Sequence, residues 1–243
     1  MRQIAEMLQQ AKHVIVFTGA GMSTESGLPD FRSPNRGLWT QFNPDELANL
    51  DALKHNTEEF IDFYRARLQA VTDYTPHKGH RILAEWEHKG IISGIITQNV
   101  DGFHHDAGSQ NVMELHGTFR KFYCHDCHKE YDRQAFLDGK STCHVCGGII
   151  RPGIVLFGET LPTETFYRAD DETMKADLFI VLGSSLNVTP ANTFPAHAKQ
   201  NGAHIIIVNR EATPFDDYAD HIIQDKRIGE VLTGVHEHLF NET

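Results

Sequence analysis

Val14-Ile-Val-Phe-Thr-Gly-Ala-Gly-Met-Ser-Thr-Glu-Ser-Gly-Leu-Pro-Asp-Phe-Arg32 decides the fold class of this chain. It opens with an apolar run of strand length and breaks off into threonine, glycine and small polar residues. Three later runs repeat the pattern. Ile91-Ile92 with Gly94-Ile-Ile96 ends in Thr97-Gln98-Asn99, Leu178-Phe-Ile-Val-Leu182 in Gly183-Ser-Ser185, and Ile205-Ile-Ile-Val208 in Asn209. Continuous runs rich in valine and isoleucine, without polar alternation, suit strands buried on both faces, hence a parallel sheet. Helix-period stretches such as residues 80–89 separate them. The glycine and polar residues always follow the run, at the carboxyl edge where doubly wound sheets bind their ligands. The expected fold is α/β, a Rossmann-like parallel sheet with helices on both faces.

Two segments break this rhythm. Residues 33–75 carry a Trp39-Thr-Gln-Phe loop and then a helical pattern over residues 57–71, and residues 119–150 carry cysteines among polar and charged side chains. Both read as insertions that form a small module, leaving residues 1–32, 76–118 and 151–243 for the larger nucleotide-binding domain. The chain's only cysteines are paired as Cys124-x2-Cys127 and Cys143-x2-Cys146, with fifteen residues between the pairs. Two such knuckles suit one tetrahedral Zn²⁺, closed by four thiolates and therefore structural. His125, His128 and His144 lie among them and are alternative ligands. A segment this polar is expected to lack a core of its own, so that the metal holds it together.

Gly19-Ala20-Gly21 lets backbone approach a phosphate, although the spacing is not G-x-G-x-x-G and a plain tight turn has the same composition. Residues 23–32 add hydroxyls, Asp30, Phe31 and Arg32, a mixture suited to a catalytic loop. In Thr97-Gln98-Asn99-Val100-Asp101, two amides and a carboxylate offer directional partners for ribose hydroxyls or a carboxamide. An Asx turn capping the next helix is the alternative for Asn99 or Asp101. His116, in Glu114-Leu-His-Gly117, has the side chain best suited to take a proton near neutral pH. With 16 histidines in the chain, composition does not separate it from His104 or His105.

The 243 residues carry 33 acidic against 22 basic side chains, a formal net charge of −11. That balance speaks against a nucleic-acid surface and suits a basic, lysine-bearing partner. Neither a secretory h-region nor a membrane-length apolar run is apparent. With every cysteine assigned to the knuckles, a reducing, cytoplasmic setting is expected.

Residues 19–32 resemble the sirtuin signature GAGxSxxSGIPDFR, with Leu28 for its isoleucine, and residues 97–104 resemble TQNxDxLH, with Phe103 for its leucine. Leu115-His116-Gly117 resembles the family's catalytic histidine motif, and the four cysteines share its order and place. Arg151-Pro152, Val155 and Phe157-Gly158-Glu159 resemble the substrate-facing strand; Gly183-Ser184-Ser185-Leu186 and Val208-Asn209 resemble the late nucleotide motifs. The likeness runs from about residue 3 to residue 235.

The resemblance implies an NAD⁺-dependent protein-lysine deacetylase or deacylase that moves the acyl group to ADP-ribose and releases nicotinamide. It implies cofactor contacts from Gly19, Ala20, Gly21, Thr24, Phe31, Arg32, Gln98, Asn99, Val100, Asp101, Gly183, Ser184, Ser185, Asn209 and Arg227, and catalytic work by His116, Asn99 and Asp101. His116 is implied as the general base on the ribose hydroxyl. Acyl-lysine proteins or peptides are the implied partners, bound along Val155, Phe157, Gly158 and Glu159. Tyr64 and Arg67, three apart on a predicted helix, resemble a pair that in some sirtuins receives succinyl- or malonyl-lysine carboxylates. A mono-ADP-ribosyltransferase and a nucleotide-binding zinc-ribbon adaptor are the other functional expectations.

Overall fold

The computed structural model describes residues 1–35 and 37–240. Its strands are β1 (Val14–Thr18), β2 (Gly94–Thr97), β3 (Val112–Glu114), β4 (Gly117–Cys124), β5 (Glu130–Tyr131), β6 (Ile150–Ile154), β7 (Leu178–Leu182), β8 (His204–Val208) and β9 (His221–Ile223). Six of them form one parallel sheet in the order β3-β2-β1-β7-β8-β9. Thr18 lies level with Thr97 and with Leu182, and Leu182 with Val208. This register sets Gln98, Gly19, Gly183 and Asn209 in one row along the carboxyl edge. Strand order reverses between β1 and β7, and a crevice opens at such a switch point.

The helices are α1 (Arg2–Gln10), α2 (Pro44–Leu47), α3 (Leu50–His55), α4 (Thr57–Asp73), α5 (Lys78–His88), α6 (Phe103–Asp106), α7 (Arg133–Leu137), α8 (Thr163–Lys175), α9 (Phe194–Gln200) and α10 (Ile228–Phe240). Successive strand residues serve opposite faces. Val14, Val16, Leu178 and Ile180 pack with Leu8 of α1, Trp86 of α5 and Val235 of α10. Ile15, Phe17, Phe179 and Val181 pack with Ala169 of α8 and Phe194 and Ala198 of α9. Both faces are covered, which is why these strands read as unbroken apolar runs. The edge strands β3 and β9 have three residues each and carry no such run, so the sequence pattern passes over them. Ile91 and Ile92 precede β2 and join the first core instead.

Strands β5, β4 and β6 form a second, antiparallel sheet. Residues 150–154 therefore pair with β4 rather than with the large sheet. The cysteine segment does not rest on metal alone. Phe119, Phe122, Phe136 and Ile150 share a core with Phe60, Tyr64 and Leu68 of α4. The cysteine insertion completes its core with side chains of the helical insertion. Among the described residues no helix is long and apolar enough to cross a membrane.

Candidate active site

A cleft of about 1700 Å³ is lined by the sheet-edge residues Gly19, Gln98, His116 and Gly183 and, from α4, by Tyr64 and Arg67. Its base is two loops packed back to back. A Cβ on Gly19 would lie 2.7 Å from the Gly183 oxygen, and one on Gly183, where φ is +63°, would lie 2.4 Å from the Met22 nitrogen. Gly21 N–H donates to the Gly183 oxygen at 2.9 Å. These glycines are required by loop-to-loop contact, a constraint invisible in one loop's spacing. Ala20–Ser26 forms a 3₁₀ helix beyond them, and the Thr24 hydroxyl donates back to Gly21 O at 2.9 Å. Asp30 accepts from Arg32 N and Ser33 N, folding that loop so that the Phe31 ring lies 5.2 Å from Trp39.

The run after β2 is held from within. Asn99 Nδ2 donates to Gly19 O at 3.0 Å and to Ser23 Oγ at 3.3 Å. Ser23 Oγ donates to Asp101 Oδ2 at 2.7 Å, and Asp101 Oδ1 accepts from Phe103 N at 2.9 Å. Burial pushes the Asp101 carboxyl above its usual range. Asn99 and Asp101 thus fasten the β1 and β2 loops together, while Val100 lines the cleft. Ser23, which spacing did not single out, links them. Gln98 Nε2 donates to Ser184 Oγ at 2.9 Å, which bridges the β2 and β7 loops. Asn209 Nδ2 donates to Glu211 O at 2.7 Å, and Ser185, Asn209 and Arg227 line the far end of the cleft.

His116 Nδ1 lies 3.0 Å from Gln98 O. A carbonyl only accepts, so Nδ1 carries the hydrogen and Nε2 keeps its lone pair. Burial, then the Arg32 charge, holds its pKa below the usual imidazole value despite the Gln98 bond. The ring is therefore a neutral base at pH 7. The structure places the three histidines that composition left open in different settings. His104 is buried at 2% exposure beneath the edge, its Nε2 2.9 Å from Thr18 Oγ1, and His105 lies 3.9 Å from Glu114; only His116 of the three lines the cleft.

On the opposite wall, Tyr64 is buried and its phenol pKa is pushed up to about 12, chiefly by burial. The Arg67 guanidinium sits 4.9–5.8 Å from the rings of Phe31, Phe119, Phe63 and Tyr64. The acid Asp62 pairs with Arg65 at 3.0 Å instead, and no carboxylate among the described residues lies within ion-pair distance of Arg67. Phe157 is 45% exposed and lines the cleft with Val155 and Gly158. Glu159 lines it too, but its carboxylate is taken by Arg151 at 2.7 and 2.9 Å.

The sulfurs of Cys124, Cys127, Cys143 and Cys146 lie within 4.8 Å of one another. Cys124 to Cys146 is 3.4 Å and Cys127 to Cys143 is 3.6 Å, close to the separation that Zn–S bonds of about 2.3 Å impose in a tetrahedron. The four thiolates fit one zinc, and none of the three nearby histidines is needed as a ligand. Tyr131 Oη donates to Cys143 Sγ at 3.0 Å, the kind of outer bond that orients a ligand.

Residues 19–190 match the Sir2 family. The chain belongs to this family. It is 54% identical over 232 residues to the NAD-dependent protein deacetylase of Oceanobacillus iheyensis, covering 96% of this chain and 98% of that one. It is 52% identical over 236 residues to NAD-dependent protein deacetylase 1 of Geobacillus kaustophilus, covering 97% of each. Among solved structures, a Sir2–p53 peptide–NAD⁺ complex superposes with a TM-score of 0.89 at 36% identity, covering 98% of this chain and 97% of that one.

One stability consequence follows for this sirtuin. His80 is fully buried, its ring 4.9 Å from that of His104 and 4.6 Å from that of His77. Neither ring nitrogen of His80, nor Nδ1 of His104, has a protein partner. Burial, reinforced by the neighbouring histidines, drives both pKa values down, that of His104 to about 3. Both rings stay neutral in the folded state while the unfolded chain protonates near 6.5, so unfolding takes up protons as pH falls below that value. Two such groups remove about 1.4 kcal/mol of stability per pH unit near pH 6.5, rising to about 2.7 below about pH 5.5. Urea titrations at pH 7 and pH 5 check this; equal unfolding free energies at the two would contradict it.

Proposed function

We propose that this chain is an NAD⁺-dependent protein-lysine deacetylase that transfers the acyl group to ADP-ribose and releases nicotinamide. The supporting observation is His116, a neutral base with its lone pair on Nε2, in a cleft shared by the sheet edge and α4. NAD⁺ supplies the electrophilic ribose carbon and the hydroxyl that becomes the acyl acceptor. The residues that would hold it are Gly19–Gly21, Thr24, Phe31, Arg32, Gln98, Val100, Ser184, Ser185, Asn209 and Arg227. Asn99 and Asp101 set the shape of that pocket through Ser23. His116 takes the hydroxyl proton on Nε2, and Gln98 O steadies the imidazolium that results. Acyl-lysine peptides would lie along Val155, Phe157 and Gly158. We assign the two insertions to a small domain, the remainder to the nucleotide domain, and the enzyme to the cytoplasm. Mass spectrometry of an acetyl-lysine peptide with enzyme and NAD⁺ tests the reading. Equal formation of lysine peptide and O-acetyl-ADP-ribose supports it; nicotinamide release with ADP-ribose left on protein makes the chain a transferase.

Arg67 favours a second acyl class. A guanidinium in the cleft that no carboxylate among the described residues pairs directly, although the Asp101 charge reaches it, lies next to a phenol and is a receptor for a succinyl or malonyl carboxylate. Replacing it, Arg67→Met, is expected to lower kcat/KM for a succinyl-lysine peptide by about 10- to 100-fold, the worth of one charge-assisted pair. The acetyl-lysine value should change far less. If both values fall together, Arg67 serves only to pack its four rings.

A further inference from the structure

We propose that Arg151 and Glu159 form a latch that positions the peptide-binding segment, so that Glu159 serves the substrate from behind the chain rather than by touching it. Arg151 is 1% exposed, and its guanidinium reaches both Glu159 oxygens, at 2.7 and 2.9 Å. Arg151 also donates to Ile154 O at 2.6 Å, while Glu159 Oε2 accepts from Leu156 N at 2.8 Å and Glu159 N donates to Leu156 O at 3.0 Å. Residues 151–159 are therefore closed into a ring whose two ends and midpoint are bonded to one another.

Beyond the pairing of its first residues with β4, two backbone bonds tie the ring outward. Val155 N donates to His116 O at 2.9 Å, and Phe157 N donates to Ala48 O at 2.8 Å. The first joins the segment to the backbone of the catalytic histidine, the second to the helical insertion. Between them Val155, Phe157 and Gly158 face the cleft. A bidentate guanidinium–carboxylate pair fixes a plane as well as a distance, which lysine or a neutral pair does not. Arg151 is buried and Glu159 partly so, and pairs withdrawn from water seldom add net stability over apolar residues of the same volume, so the pair is better explained by the geometry it imposes.

The latch rests on the deacetylase reading for its substrate. Its test compares wild type with Glu159→Gln and with the apolar pair Arg151→Met/Glu159→Leu, which removes both charges and tolerates burial. The readouts are steady-state KM for an acetyl-lysine peptide and for NAD⁺, the Kd of the same peptide bearing fluorescein, zinc content and melting temperature. In both variants the peptide KM and Kd are expected to rise by about tenfold, the worth of a lost charge-assisted bond, with NAD⁺ KM within about twofold of wild type. The apolar pair should keep its zinc and its melting temperature while still binding peptide weakly. Wild-type peptide affinity in the folded apolar pair overturns the latch, as does a parallel loss for both substrates that tracks melting temperature. A wild-type enzyme that binds the peptide without deacetylating it overturns the deacetylase reading instead, and the Kd ratio then decides the latch alone.

Discussion

His116→Ala is expected to cut deacetylation by about 10²–10⁴-fold, the usual worth of a positioned general base. Its side chain makes one hydrogen bond to protein, to Gln98 O, and faces the cleft, so truncation should leave zinc content and melting temperature near wild type. The variant should still bind NAD⁺, since the glycine loops and the Asn99–Ser23–Asp101 chain are untouched. In the wild-type enzyme, protonated His116 cannot act as base. Because burial depresses its pKa, the acid limb of kcat/KM should have its midpoint below the ordinary imidazole value of about 6.5. Steady-state rates by mass spectrometry across pH 5–8, for both proteins, check the two statements. A variant retaining a tenth or more of the rate, or an acid limb already evident at pH 7.5, would remove His116 from the role of base.

Zinc removal, or Cys143→Ser, is the second large effect. Cys124 and Cys143 are buried within the small-module core, whereas Cys127 and Cys146 are exposed. Without metal, four sulfurs within 4.8 Å must protonate or move apart. Structural zinc binds with apparent free energies of about 10–16 kcal/mol in small zinc domains, so little of the distal end should survive its loss. The module's core is shared with α4, and the large sheet has two cores of its own. Chelation should therefore loosen β4–β6 and the cysteine knuckles while the parallel sheet persists. The cleft loses part of the wall behind Phe157 and Arg151, and misplacement by even an ångström costs about 10²-fold in rate. A strong chelator should abolish turnover in step with zinc release while most of the far-ultraviolet dichroism remains. Full activity after complete zinc release would show that the ribbon is dispensable for the site.

The parts of the site that were legible in the sequence lie within single loops. Residues 19–32 and 97–104 carry their chemistry contiguously, and the cysteine spacing carries the zinc tetrahedron. The unread parts join distant segments. Nothing near Gly19 indicates that its hydrogen faces Gly183, and nothing near Glu159 indicates that Arg151 claims its carboxylate. The cysteine insertion reads as coreless because its partner rings, Phe60 and Tyr64, lie some 60 residues upstream.

By itself the sequence determined the parallel sheet and the row of polar residues along its carboxyl edge, since burial on both faces demands unbroken apolar runs and strand ends must be polar. It also determined the metal, because four thiolates at this spacing have one common use. The Leu115-His116-Gly117 motif singled out His116 by resemblance, but only the tertiary structure set its ring in the cleft against a carbonyl 18 residues away. It alone showed that Ser23 joins Asn99 to Asp101, and that among the described residues no carboxylate lies within ion-pair distance of Arg67 beside Phe31. Those outcomes depend on which side chains are brought within 3 to 6 Å, and such distances exist only once the chain has closed upon itself.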